Sequence, residues 1–263
     1  MRKIRISFQL THTFSYKFTT KTDLFLFHDF FRSLYANFAG KKTEMKKLVI
    51  FDLDGTLLDT IADLAASTNY ALQACGFPTH EVSAYRFFVG NGIMKLFERA
   101  LPEEARTAEH IERIRALFIP YYNAHNADHS RPYPGMAELL ASLQEAGVQL
   151  AVASNKYQAA TEELVAHFFP GIRFTKVLGQ REGIPTKPDP GIVEEIVAVA
   201  GVEKADVLYV GDSNVDMQTA QNGGVDACGV TWGFRPAEEL ASYHPALLAS
   251  EAAEILAFVR NQR

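Results

Sequence analysis

The chain has 263 residues, 48% of them hydrophobic, enough for one α/β domain with an insertion or for two small domains. A net charge of −5 and a pI near 5.9 exclude the general basic surface that nucleic acid or an anionic membrane attracts. Two cysteines, Cys75 and Cys228, cannot build a disulfide framework and point to a reducing, cytoplasmic setting.

Residues 1–44 hold eight Lys/Arg against three Asp/Glu. Lys17, Lys21, Asp23 and Asp29 cut their apolar runs too often for a membrane span or a signal-peptide core. They read as an extension outside the fold, which opens at Met45 in MKKLVIFDLDGT. From Lys46, short apolar runs alternate with helical patterns, the signature of βαβ units. LVIF is the first predicted strand. Residues 62–131 then carry helical periodicity alone, as in IADLAASTNYALQACG, up to the turn RPYPG. The alternation resumes with a helix over 136–146, then VQLAVAS, a helix over 157–168, FTKVLG, a helix over 191–200, DVLYVGD, a helix over 215–222 and GVDACGV. The pattern predicts an α/β fold: a doubly wound parallel sheet built from residues 45–63 and 130–263, with a small helical insertion at 64–129.

Ligands of open parallel sheets sit beyond the carboxyl ends of the strands. Asp52, Asp54, Gly55 and Thr56 follow the first strand, and Ser154, Asn155 and Lys156 the second. Lys187 lies in TKPDP, and Gly211, Asp212, Ser213 and Asp216 follow DVLYVGD. Clustered carboxylates repel one another unless a cation sits among them, and oxygen ligands suit a hard ion such as Mg²⁺. Asp52 and Asp212 are the candidate ligands. Lys187, Ser154 and Asn155 supply the charge and hydrogen bonds that a transferring phosphoryl group needs. One aspartate can then attack phosphorus while a second moves the proton of the leaving alcohol. Taken singly, DxDG is a turn, SN a helix N-cap and Asp216 a first-turn acid. Their joint appearance, in order, at one end of successive strands favours a site.

FDLDGT, SN, KPDP and GDSNVD resemble, in order, the four motifs of the haloacid dehalogenase-like hydrolase superfamily, from about Met45 to the end of the chain. The resemblance implies a Rossmann-like core, Asp52 as nucleophile, Asp54 as acid/base, and phosphate binding by Thr56, Ser154, Asn155 and Lys187, the last also catalytic. It implies Mg²⁺ held by Asp52, the Asp54 backbone carbonyl and Asp212, with Gly55, Gly211 and Asp216 in support, and it makes the helical insertion a small cap. Dehalogenases of this superfamily lack the second aspartate, so Asp54 argues for phosphoryl transfer.

FFVGNGIMKLFERAL is similar to the cap segment of phosphoglycolate phosphatases, which makes a small phosphorylated metabolite, 2-phosphoglycolate first, the expected partner of a monomer or homodimer. A carboxylated substrate calls for a cation in the cap, where Lys95, Arg86 and Arg99 are available, while Asn91 and the Gly90/Gly92 pair can offer backbone N–H groups. A sugar-phosphate phosphatase, a β-phosphoglucomutase-like mutase and a pyrophosphatase share the same core chemistry. A non-catalytic binding module is disfavoured, because every motif position is filled.

Overall fold

The computed structural model describes residues 45–260; the extension expected at 1–44 lies outside them. The amino-terminal half comprises β1 (Leu48–Phe51), β2 (Leu58–Asp59), α1 (Ile61–Ala74), α2 (Tyr85–Phe88), α3 (Ile93–Ala100), α4 (Ala108–His125) and β3 (Arg131–Pro132). There follow α5 (Met136–Glu145), β4 (Gln149–Tyr157), α6 (Gln158–Phe168), β5 (Lys176–Gln180), α7 (Gly191–Ala200), β6 (Val207–Gly211), α8 (Asn214–Gly223), β7 (Asp226–Val230), α9 (Ala237–Ala241), β8 (Leu247–Ala249) and α10 (Ala252–Arg260).

Six parallel strands form the sheet in the order β5-β4-β1-β6-β7-β8. β1 is central because LVIF has no polar side chain to offer solvent, and all four residues are fully buried. Val49 and Phe51 pack with Leu139 and Leu143 of α5 and with Ile255 of α10. Leu48 and Ile50 point the other way, towards Ile192 and Ile196 of α7 and Met217 of α8. Burying such side chains contributes about 2 kcal/mol each. Helices on both faces make this the doubly wound sheet expected.

The helical cap leaves the sheet after β1 and has a core of its own. Leu64 and Leu72 of α1, Leu96 and Phe97 of α3, and Ile114 and Phe118 of α4 close it. Thr107 caps α4, its side chain accepting a bond from the His110 N–H at 3.2 Å. The two chain crossings into the cap are fastened together: β2 pairs antiparallel with β3, Leu58 opposite Pro132 and Asp59 opposite Arg131. Buried Asp63 accepts from the His129 and Ser130 N–H groups and from Ser130 Oγ, at 2.7–3.0 Å. Among the described residues no helix is long and apolar enough to cross a membrane.

Candidate active site

β1 and β6 are neighbours in the sheet, so the residues that follow them meet at its carboxyl edge. One carboxylate oxygen each from Asp52, Asp212 and Asp216 lies within 4.8 Å of the others, and all three residues are buried. The backbone must come very close for this to happen. Gly55 has φ +91°, and a Cβ there would strike the Asp212 carboxylate; at Gly211 it would overlap the Asp216 side chain.

Lys187 reaches the same point from the loop between β5 and α7. Its Nζ stands 2.8 Å from Asp52 Oδ1, 2.7 Å from Asp216 Oδ1, 3.0 Å from the Ala153 carbonyl and 3.1 Å from the Tyr209 hydroxyl. Burial works against its charged form, but Asp216 and Asp52 outweigh that and hold the ammonium well above the lysine range. Burial pushes the Asp52 carboxyl up to about 7, with Lys187 pulling down and Asp216 pushing up. Burial, then Asp216 and Asp52, also carry Asp212 well above the carboxylate range.

The oxygens are not equally engaged. Asp216 gives Oδ1 to Lys187 and Oδ2 to the backbone and hydroxyl of Ser213, with which it forms a capping box on α8. Asp212 Oδ2 accepts from the Phe234 N–H at 2.7 Å. Asp52 Oδ1 faces Lys187, while its Oδ2 has no hydrogen-bond partner among the described residues. Asp54 forms a second pair, with Lys156 Nζ at 2.9 and 3.0 Å from its two oxygens and Thr60 Oγ1 at 2.6 Å.

Four carboxylates, Asp52, Asp54, Asp212 and Asp216, thus face two ammonium groups, Lys156 and Lys187. The surplus negative charge, buried and carried by oxygen donors alone, fits a hard divalent cation.

A cavity opens over this edge. Asp52, Asp54, Ser154, Asn155 and Asp212 line its floor, and Leu64, Val89, Ile93, Leu96 and Phe234 form an apolar wall. Asn155 joins floor to cap: its Nδ2 donates to the Gly90 carbonyl at 3.0 Å, and its Oδ1 accepts from the Lys187 N–H at 2.9 Å.

Three expectations differ from this arrangement. Thr56, expected at the phosphate, is fully buried beside Asp212, its Oγ1 3.5 Å from Asp212 Oδ1, because the turn at Gly55 carries it behind the carboxylate. Lys95 lies on the solvent side of α3 and pairs with Glu98 at 2.6 Å. Asn91 accepts from Arg99 at 2.7 Å, whereas Gly92 does line the cavity. Lys156, Tyr209 and Arg235 carry contacts that the four motifs do not assign. Each had a signal: Lys156 directly follows SN, Tyr209 is a polar tip inside an apolar strand, and Arg235 stands in the segment after β7, where the strand-end rule also applies.

Residues 49–230 match the haloacid dehalogenase-like hydrolases. The chain belongs to that family. This haloacid dehalogenase-like hydrolase is 36% identical over 192 residues to a phosphoglycolate phosphatase of Mesorhizobium japonicum, covering 72% of the present chain and 84% of the relative. It is 33% identical over 218 residues to one of Vibrio parahaemolyticus, covering 81% and 96%. A crystal structure from Lactobacillus delbrueckii subsp. bulgaricus, of a protein assigned as a phosphoglycolate phosphatase, superposes with a TM-score of 0.77 at 34% identity, covering 82% of this chain and 99% of that one.

Proposed function

We propose that the protein is a Mg²⁺-dependent phosphomonoester hydrolase that acts through an aspartyl phosphate on a small phosphorylated metabolite, 2-phosphoglycolate first. One observation carries the mechanism: Asp52 faces the cavity with one oxygen held by Lys187 and the other unengaged. That unengaged Oδ2 forms the bond to phosphorus as the ester oxygen leaves with its electron pair. Asp54, oriented by Thr60 and Lys156, delivers a proton to the leaving alcohol and later takes one from the water that hydrolyses the acyl phosphate. Asn155, Ser154 and Lys187 orient the phosphoryl oxygens. Asp52, the Asp54 carbonyl and Asp212 would hold Mg²⁺, with Asp216 fixing Lys187 behind them. When bound, the ion neutralises phosphoryl oxygens and lets an anion approach Asp52.

The substrate assignment rests on the relatives named above and on a cavity whose apolar cap wall leaves room for a small leaving group. The two cysteines, both free thiols, suit a reducing cytoplasm. The test is phosphate release with Mg²⁺ across phosphoglycolate, sugar phosphates, nucleotides and pyrophosphate. Phosphoglycolate is expected to lead in kcat/KM, and chelation to abolish turnover reversibly. A profile led by a sugar phosphate would replace the substrate but leave the chemistry; chelation-insensitive turnover would remove the metal.

A further inference from the structure

A substrate with a second anion needs a cation besides those that serve the phosphoryl group. The cavity is lined by two cationic side chains, Lys156 and Arg235. Lys156 is spent on Asp54, whose two oxygens lie 2.9 and 3.0 Å from its Nζ. Arg235 has no carboxylate within 4.0 Å among the described residues; its one hydrogen bond is a long one, 3.4 Å, to the Val89 carbonyl. Its guanidinium lies over the Phe87 ring, 5.6 Å from the centroid, and Phe87 is itself 61% exposed. A large aromatic left in solvent that supports a guanidinium holds the charge in place without neutralising it.

The neighbouring arginine is already committed. Arg99 donates to the Phe88 carbonyl at 2.9 Å and to Asn91 at 2.7 Å, which builds the glycine turn of the cap. Burial and then the charge of Arg235 pull the Arg99 guanidinium down, against an upward contribution from Glu98. Two guanidinium groups share this wall, and the one that reaches the cavity has no carboxylate partner among the described residues.

We infer that Arg235, which the loop after β7 carries from the core rather than the cap, reads the carboxylate of the substrate's leaving group and so sets specificity. A guanidinium fork matches a carboxylate in two hydrogen bonds, which an uncharged leaving group cannot supply. The inference rests on the phosphoglycolate assignment, and the experiment separates the two. The full chain with Mg²⁺ is assayed as wild type, Arg235→Gln and Arg235→Lys on two esters, 2-phosphoglycolate and ethyl phosphate, which differ in the carboxylate. Wild type is expected to prefer phosphoglycolate. Arg235→Gln is expected to lower the ratio of the two kcat/KM values by roughly 10- to 100-fold, the range of a charge-assisted hydrogen bond, chiefly through KM for phosphoglycolate. Arg235→Lys should restore part of that ratio. A ratio unchanged in Arg235→Gln, with both esters falling together or neither, reduces Arg235 to a tie between core and cap and overturns the inference while the substrate assignment stands. A wild type without preference overturns the assignment and the inference together.

Discussion

The carboxyl edge of the sheet and the cap above it treat charge in opposite ways. At the edge, Asp52, Asp216, Asp212 and Lys187 are buried, and each is tied to residues far away in sequence. In the cap, Lys95 pairs with Glu98 and Arg115 with Glu112, one helical turn away and open to solvent. Long-range buried pairs hold groups in reacting positions; local exposed pairs hold a helix and do little else. On the proposed mechanism the chemistry belongs to the edge, while the cap contributes apolar side chains to the cavity wall and the Gly90 carbonyl to Asn155.

The largest effect is expected at the edge. Asp52→Asn should cut phosphate release by more than about 10⁴-fold, because an amide cannot form the acyl phosphate, and its circular dichroism should match wild type. Turnover near the normal rate would put the nucleophile elsewhere. Lys187→Met leaves Asp52 and Asp216 buried without their cation. It should lower stability by about 3–5 kcal/mol in denaturant melts besides losing activity, and an unchanged midpoint would mean the carboxylates do not need it.

A smaller effect comes from pH. Metal-free Asp52 titrates near 7 in the fold, against about 3.9 in an unfolded chain. Between those values the native state keeps a proton that the unfolded state has lost, so stability falls as pH rises from about 4 to about 7, and Asp212 acts in the same direction. The melting temperature in EDTA should be lower at pH 7 than at pH 5. Added Mg²⁺ should raise it more at pH 7, where protons compete less for the carboxylates. The reverse order would mean that the acidic cluster is not the cation site. Smallest of all, Lys95→Ala should change kcat/KM on phosphoglycolate by less than about twofold. A tenfold loss would bring the outer face of α3 into the site and erase the contrast between the two regions.

The sequence made the edge more legible than the cap for the same reason. Strand-end positions are dictated by topology: once LVIF and DVLYVGD are recognised as buried parallel strands, Asp52 and Asp212 must emerge on one side. Helix α7 was read at Gly191–Ala200, as found, from its apolar spacing. β8 went unread because Leu247–Ala249 spans three residues at the sheet's border, too few for a period to register. The β2–β3 pair is shorter still, and its partners lie on opposite sides of the whole insertion. In the cap, helical periodicity marks which faces are buried but not which way the turn at Gly90–Gly92 presents Asn91 or Lys95. Arg235, the cation inferred above, follows a strand end that the topology marks, but no pattern within TWGFRP announces that it leans across to Val89.

The neck at β2, β3 and Asp63 has a consequence for how such a chain can diversify. It closes the insertion into a loop whose ends are fixed by two paired positions and one carboxylate, independently of what lies between. The entropy of closing a loop grows only logarithmically, so doubling its length costs about 0.6 kcal/mol. The neck is therefore a natural graft point: a foreign insertion joined after Asp63 and before His129 would replace the lid while the neck, Thr60 and the carboxylates that follow β1 stay as they are, exchanging the range of molecules admitted without rebuilding the machinery beneath.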